Sequence, residues 1–315
     1  MNFTLQIMGT ASAMPVIERF QSAQVLNVHG RIFLIDCGEG VQRQLVRYHI
    51  SIVKLDSIYI SHIHGDHVFG IFGLLSTMGM MHRTTPLAIY GPANFSPVLE
   101  SFLSYYGEGI LFEIDFHPLS TEDKEMINET EAVEIFAFPL KHKIETYGFL
   151  FNEKKPKLNI KKYFIEKYSL NYQERVLLKD GKDIIREDGT AIKASAATYL
   201  PFIPRSYAYC SDTESFPEIA EWVRDVDLLY HETTYLHKDL AQAVLRHHST
   251  TLQAAECAKK ANAKKLVIAH YSTRCLDSNQ YMEECKTIFP ETYAAQDGDI
   301  FDIPYLKTEK SVKNN

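Results

Sequence analysis

Apolar and polar positions along this chain change period in a way that marks short strands first and helices between them. Phe3–Met8, Gln24–Val28 and Arg31–Asp36 alternate or run apolar, with Gly9, Gly30 and Gly38 as breaks, and predict the opening meander of a sheet. Helical spacing over Val41–Tyr48, a strand over Ser57–Ser61 and a glycine-spaced helix over Val68–Met81 come next. Strand patterning returns at Leu87–Tyr90, Ala132–Leu140 and Tyr147–Phe151, with a helical stretch over Pro97–Tyr106. Further on, Tyr207–Cys210, Asp227–His231 and Lys265–Ala269 read as strands. A capping box, Thr250-x-x-Gln253, stands ahead of a helix over Leu252–Ala263. The pattern predicts two halves of mixed strand and helix separated by a different kind of segment.

Composition narrows this only a little. A chain of 315 residues, 45% hydrophobic and 23% charged, is long enough for one large core or two small ones. No run of about 18 apolar residues occurs, and the first residues lack the pattern of a secretory signal. The expectation is a cytoplasmic protein with no membrane partner. Five cysteines, scattered and never spaced as CxxC, predict reduced thiols rather than a disulfide framework or a thiolate metal site.

Charge changes the picture more. A net charge of −7 argues against a nucleic-acid partner, since such partners require cations to displace phosphate counterions. Locally the argument reverses. Residues 152–195 carry nine lysines and two arginines against seven acids, a local +4 on a remainder at −11. Lys154, Lys155, Lys157, Lys161, Lys162 and Lys167 alternate with Tyr163, Phe164 and Tyr168, which reads as a compact basic arm. The core pattern resumes after it, and residues 306–315 form a polar tail.

The sharpest chemical signal is His62-Ile63-His64-Gly65-Asp66-His67, directly after an apolar strand. Imidazole and carboxylate are the ligand set that borderline metals such as zinc favour. On an extended segment His62 and His64 project to one side, whereas Asp66 and His67 diverge toward a second position. One ion would be short of ligands, so two are implied, and the missing donors are sought at strand ends. His142, Asp212 and His270 each end a predicted strand.

These residues resemble those of the ribonuclease Z family, tRNA 3′-processing endonucleases of the metallo-β-lactamase superfamily, over residues 1 to about 305. The resemblance is carried by Met8-Gly9-Thr10, the run from Phe33 to Gly40 with Gln42 and Gln44, the histidine motif with Gly70 and Gly73-Leu74-Leu75, and His142 with Tyr147-Gly148-Phe149. It continues through Cys210-Ser211-Asp212-Thr213, His231-Glu232-Thr233, His248-Ser249-Thr250 and His270-Tyr271-Ser272-Thr273-Arg274. The histidine motif alone reaches only the superfamily; the His231 and His248 motifs after the Asp212 motif narrow it.

The resemblance implies an α/β fold of the metallo-β-lactamase type, a four-layer αββα sandwich. Residues 1–151 and 196–305 would form the catalytic core and 152–195 an inserted exosite arm that grips the tRNA elbow. It implies two Zn2+ per subunit, with His62, His64 and His142 on one, Asp66, His67 and His270 on the other, and Asp212 between them. Asp66 would act as general base and His248 as proton donor, with Glu232 orienting it. Lys154, Lys155, Lys157, Lys161, Lys162 and Arg274 would bind substrate, Asp36 and Glu39 would hold their loop against the site, and His231 and His247 would not be ligands.

The implied activity is zinc-dependent cleavage of precursor tRNA 3′ of the discriminator base, leaving a 3′-hydroxyl. A homodimer is implied, in which the arm of one subunit serves the other, and no DNA partner is expected. The alternative is a phosphodiesterase of the same fold acting on small phosphodiesters or other RNAs, which would need no arm. The sequence departs from the family's arm at its tip, where Ser169-Leu170-Asn171-Tyr172-Gln173 replaces a Gly-Pro turn. It also departs in the loop Pro15–Phe20, which is less basic than usual.

Overall fold

The computed structural model describes residues 2–275 and 277–308. The chain divides into two compact units, one formed up to Asn152 together with Ser206–Ile303, the other by Glu153–Arg205 with the residues from Pro304 on.

Two seven-stranded sheets carry the first unit. Sheet one contains β1 (Phe3–Gly9), β2 (Ala23–Val28), β3 (Arg31–Ile35), β4 (Leu55–Tyr59), β5 (Leu87–Pro92) and β6 (Ile114–Leu119), with β18 (Ile300–Asp302) on the far side of β1. Sheet two contains β7 (Glu125–Glu129), β8 (Val133–Leu140), β9 (Thr146–Glu153), β14 (Ser206–Cys210), β15 (Leu228–Glu232), β16 (Leu266–Ala269) and β17 (Thr292–Ala294).

Side-chain alternation sends neighbouring residues of one strand to two different cores. On β3, Phe33 and Ile35 pack between the sheets with Phe149, Phe151 and Tyr207, whereas Leu34 packs outward with Leu45, Ile71 and Leu74. Both faces are covered, so β3 reads as an unbroken apolar run. The outer cover of sheet one is α1 (Val41–Arg47), α3 (Gly70–Met80) and α4 (Ser96–Tyr106), which supply Leu45, Leu74 and Leu99. Sheet two is covered by α8 (Pro217–Trp222), α10 (Thr251–Lys260) and α11 (Ser278–Lys286) through Ile219, Ala255, Ala258 and Tyr281. The layering is the expected αββα sandwich.

The expected helix over Val68–Met81 is two elements: a single turn, α2 (Gly65–Val68), then α3 beginning at Gly70. The break lets the motif dock on the loop after β3. Gly70 N donates to the Cys37 carbonyl at 2.8 Å, and a Cβ on Gly70 would lie 2.2 Å from the Gly38 carbonyl oxygen. Only glycine permits that approach.

Topology puts the chemistry at one edge. β14, β15 and β16 run parallel, so their C-terminal ends emerge side by side. Those ends deliver Asp212, Glu232 and His270. A further helix, α9 (Leu240–Arg246), leads into His247 and His248.

The second unit has its own small core of Leu170, Leu178, Ile184, Ile192, Ala194 and Ala197. It comprises β10 (Asn159–Ile160) paired with β13 (Thr198–Tyr199), β11 (Ile184–Ile185) paired with β12 (Ala191–Ile192), α5 (Lys162–Tyr168), α6 (Tyr172–Lys179) and α7 (Ala194–Ala197). Its tip needs no Gly-Pro turn. Ser169 takes a left-handed conformation (φ 45°) that ends α5, and Asn171 and Glu174 form a reciprocal capping box that starts α6. Glu153 and Arg205, both buried, form a bidentate ion pair joining the first and last residues of the segment Glu153–Arg205. Lys307 bridges to Phe202, while residues 309–315 of the polar tail lie outside the described residues. Among the described residues no helix is long and apolar enough to cross a membrane, and all five cysteines are buried free thiols.

Candidate metal centre

Asp36 at the end of β3 is the first organising group. It is buried, and it accepts four hydrogen bonds: from Ser61 N at 2.7 Å, Ser61 Oγ at 2.8 Å, His67 Nδ1 at 2.7 Å and the Tyr209 hydroxyl. These bonds fix proton positions throughout the motif. His67 gives its Nδ1 proton to Asp36, which leaves Nε2 as a lone pair. Ser61 spends its single hydroxyl proton on Asp36, so it accepts from His62 Nδ1 at 3.0 Å, and His62 Nε2 is likewise a lone pair.

The same logic holds across the cleft. His142 donates Nδ1–H to the His247 carbonyl at 2.8 Å. Thr234 donates its hydroxyl to Glu232 Oε2 at 2.7 Å and therefore accepts from His270 Nδ1 at 2.8 Å. Nε2 is thus the free atom of both His142 and His270. His270 is held there at φ 63°, a left-handed conformation unusual for a residue with a side chain.

The free nitrogens point at one another. His62 Nε2 lies 3.0 Å and His142 Nε2 3.3 Å from His64 Nδ1, and His67 Nε2 lies 3.3 Å from His270 Nε2. Ligand nitrogens about 2.0–2.1 Å from a common tetrahedral centre stand about 3.3 Å apart. Asp212 connects the two sets. Its Oδ2 is 3.7 Å from His62 Nε2 and 3.9 Å from His142 Nε2, while its Oδ1 is 3.2 Å from His270 Nε2 and 3.6 Å from His67 Nε2. Asp66 Oδ2 is 3.4 Å from both His67 Nε2 and His270 Nε2. Two groups of four donors result, His62/His64/His142/Asp212 and Asp66/His67/Asp212/His270.

Those residues fit metal ions on two counts. Asp212 Oδ1 is buried yet accepts no hydrogen bond among the described residues, an orphan that a cation would satisfy. Electrostatics also separates the two groups. Burial, with the neighbouring imidazoles, holds His62 well below its ordinary pKa, and burial holds His64 and His142 down as well, so these three rings are neutral donors. His67 is raised well above, against its burial, by Asp66, Asp212 and Asp36. Three carboxylates around one imidazole mark a place where positive charge is favoured.

A third group, Glu232/His248/His270, is of a different kind. Glu232 is buried and accepts from Thr213 N, Ser249 N, Thr234 N, the Thr234 hydroxyl and His248 Nδ1, the last at 3.0 Å. Both oxygens are engaged, so Glu232 acts as an anchor for His248. Burial opposes a proton on His248, but Glu232 and then Asp212 push it up to about 9. His231 turns away, donating Nδ1–H to the Glu232 carbonyl, and His247 pairs with Glu214.

The cleft above has a volume of about 690 Å³ and is lined by Glu39, Lys143, Tyr235, Arg246, His248, Ser272 and Arg274 among others. Arg274 and Glu39 are both exposed there. The lysines belong to the second unit. Lys157 pairs with Asp180 at 3.3 Å, Lys162 with Glu166 at 3.5 Å, and Lys161 donates to the Ala196 carbonyl, while Lys155 is exposed. Sequence reasoning passed over Ser61 and Thr234, which set imidazole tautomers, Tyr209, which donates to Asp36, and Lys143 and Arg246 on the cleft wall. None of them carried a signal of that role in the sequence.

Comparison with known proteins adds the following. A family model described as Anti-Pycsar protein Apyc1 matches residues 3–157. Curated relatives called Ribonuclease Z include one from Bacteroides thetaiotaomicron, 37% identical over 295 residues covering 94% of this chain and 93% of the relative. Another, from Phocaeicola vulgatus, is 38% identical over 295 residues covering 94% and 96%. Among solved structures, the short form of human tRNase Z superposes with a TM-score of 0.70 at 24% identity, covering 96% of this chain and 99% of that one. The metallo-β-lactamase fold protein YhfI from Bacillus subtilis gives 0.67 at 18%, covering 96% and 100%. At these identities the structural likenesses establish the fold.

Proposed function

The chain belongs to the ribonuclease Z family, and from that premise we propose that it cuts precursor tRNA 3′ of the discriminator base, using two Zn2+ per subunit and leaving a 3′-hydroxyl on the tRNA. The observation that carries the reading is the pair of four-donor groups sharing Asp212, with the Glu232-anchored His248 beside them. Bound there, such ions would lower the pKa of an attacking water and neutralise charge growing on the phosphoryl oxygens.

This chain's own groups supply the rest. Asp66, whose Oδ2 stands 3.4 Å from both His67 Nε2 and His270 Nε2, accepts a proton from the attacking water. The water oxygen bonds to phosphorus as the bond to the discriminator O3′ breaks. His248 donates its proton to that O3′, with Nδ1–H held by Glu232. Arg274, Arg246 and Lys143 on the cleft wall bind the flanking phosphates. The exosite role falls to Lys154, Lys155, Lys157, Lys161 and Lys162.

A homodimer in the cytoplasm completes the proposal. The family resemblance is what supports the homodimer. The buried free thiols accord with a reducing compartment.

The experiment is incubation of purified, zinc-loaded protein with a 3′-extended precursor tRNA, in parallel with bis(p-nitrophenyl) phosphate, mapping any cut to the nucleotide. A cut just after the discriminator base is expected. Cleavage of the small ester with the tRNA intact would leave a phosphodiesterase and remove the tRNA assignment.

A further inference from the structure

Phe69 is out of keeping with its surroundings. Its neighbours Val68, Ile71 and Leu74 are buried, yet Phe69 is 62% exposed and lines the cleft alongside His64 and Asp66. An aromatic ring left in water beside a polar reaction centre forgoes the burial that a core phenylalanine gains.

The ring is nevertheless held in place. A Cβ built on Gly65 would lie 2.4 Å from Cε2 and 2.8 Å from both Cδ2 and Cζ of Phe69. One flank of the ring therefore rests on the bare backbone between His64 and Asp66, a seat that any side chain at position 65 would occupy. Phe69 N donates to the Gly65 carbonyl at 3.0 Å and closes the turn beneath. Glycine at this point of the histidine motif thus serves the ring as well as the turn.

The rest of the cleft says what such a ring is for. Met14 and Pro15 extend the apolar wall, while Lys143, Arg246 and Arg274 supply the cations. A polymer with charged phosphates and flat bases matches both. Aromatic side chains recognise bases without regard to sequence, because every base offers a π-face.

We propose that Phe69, seated on Gly65, is a stacking platform for a nucleobase flanking the scissile phosphate and sets the register of the strand over Asp66 and His248. The proposal rests on the tRNA-cutting reading above, and the test separates the two.

Precursor tRNAs with an abasic nucleotide immediately 5′ or immediately 3′ of the cut are compared with the intact precursor in wild type and Phe69→Ala. Stacking on an aromatic side chain is worth about tenfold or more in binding. Wild type is expected to lose about that factor in kcat/KM at one of the two abasic positions. Phe69→Ala should lose the same factor on the intact precursor and nothing further at that position. Phe69→Trp should restore the abasic penalty and Phe69→Leu should not, which separates stacking from bulk, with metal content constant throughout. An abasic penalty equal in wild type and Phe69→Ala, or absent from wild type, overturns the platform. A wild-type protein that leaves the intact precursor uncut overturns the tRNA reading, and the platform with it.

Discussion

Asp36 and Glu232 are buried carboxylates that between them accept nine hydrogen bonds, every one from the protein. Two lysines of the second unit end in solvent: Lys157 and Lys162 are 77% and 89% exposed, and their partners are exposed carboxylates on the same unit. One region fixes proton positions on five of its imidazoles, while the other fixes almost nothing and offers charge. Buried, fully satisfied networks hold reacting groups in place before substrate arrives. Exposed ammonium groups gain little from any single partner and are screened by salt. Damage to the first region should therefore appear in metal content and kcat, and damage to the second in KM and its salt dependence.

The largest effect is expected at the residue common to both donor groups. Asp212→Ala should reduce bound metal, measured by elemental analysis of the purified protein, and lower kcat by about 10³-fold or more. Full metal content in that variant would mean that the two groups are filled independently of Asp212. Next is His248→Ala, which should lower kcat by about 10²-fold or more with metal content unchanged. Glu232→Gln sharpens this by its sign. A proton donor loses activity as pH rises through its pKa, and removing the carboxylate that raises His248 should move the alkaline limb of the kcat profile to lower pH. A limb that stays put would separate Glu232 from the titration of His248.

A subtler variant tests how far the buried network reaches. Asp36→Asn keeps the shape and removes the charge that holds His67 Nδ1–H. It should weaken metal affinity by about 10–100-fold, read by competition with a chelator. Affinity equal to wild type would place the control of His67 elsewhere.

The contrast between regions also explains what the sequence could reveal. His62, His64, Asp66 and His67 were legible because ligand spacing on an extended segment is local, and His142, Asp212 and His270 because each ends an apolar strand. The inner strands were legible because two covered faces leave unbroken apolar runs such as Phe33–Ile35, whereas their layering into a sandwich came from the family resemblance. In the two large sheets the strands the pattern did not announce are β6, β7, β17 and β18, and these are their four edges. An edge strand pairs on one side only and keeps half its residues in water, so Glu125–Glu129 carries no periodic signal. Thr234 was equally silent. Its role depends on one hydroxyl lying between Glu232, His248 and His270, which only the parallel register of β15 and β16 brings about.

The second region should yield in small steps. Changing Lys154, Lys155, Lys157, Lys161 and Lys162 together to Gln should raise KM for precursor tRNA by about tenfold at low salt, leaving kcat and hydrolysis of the small ester unchanged. Equal loss on both substrates would mean that these lysines support folding.

Lys155→Gln alone is the smallest effect and the most informative about mechanism. Lys155 is exposed and lies outside the small core of its unit, so its loss removes charge without disturbing packing. A lysine that meets one phosphate releases about one condensed counterion. Its removal should make the slope of log KM against log salt shallower by about 0.7–0.9 while changing KM itself only about two- to threefold at moderate salt. Lys157→Gln, which also breaks a pair with Asp180, should shift the slope less, because part of that charge is already compensated at 3.3 Å. If both variants keep the wild-type slope while the five-lysine variant loses it, the segment acts as a diffuse field rather than through individual phosphate contacts.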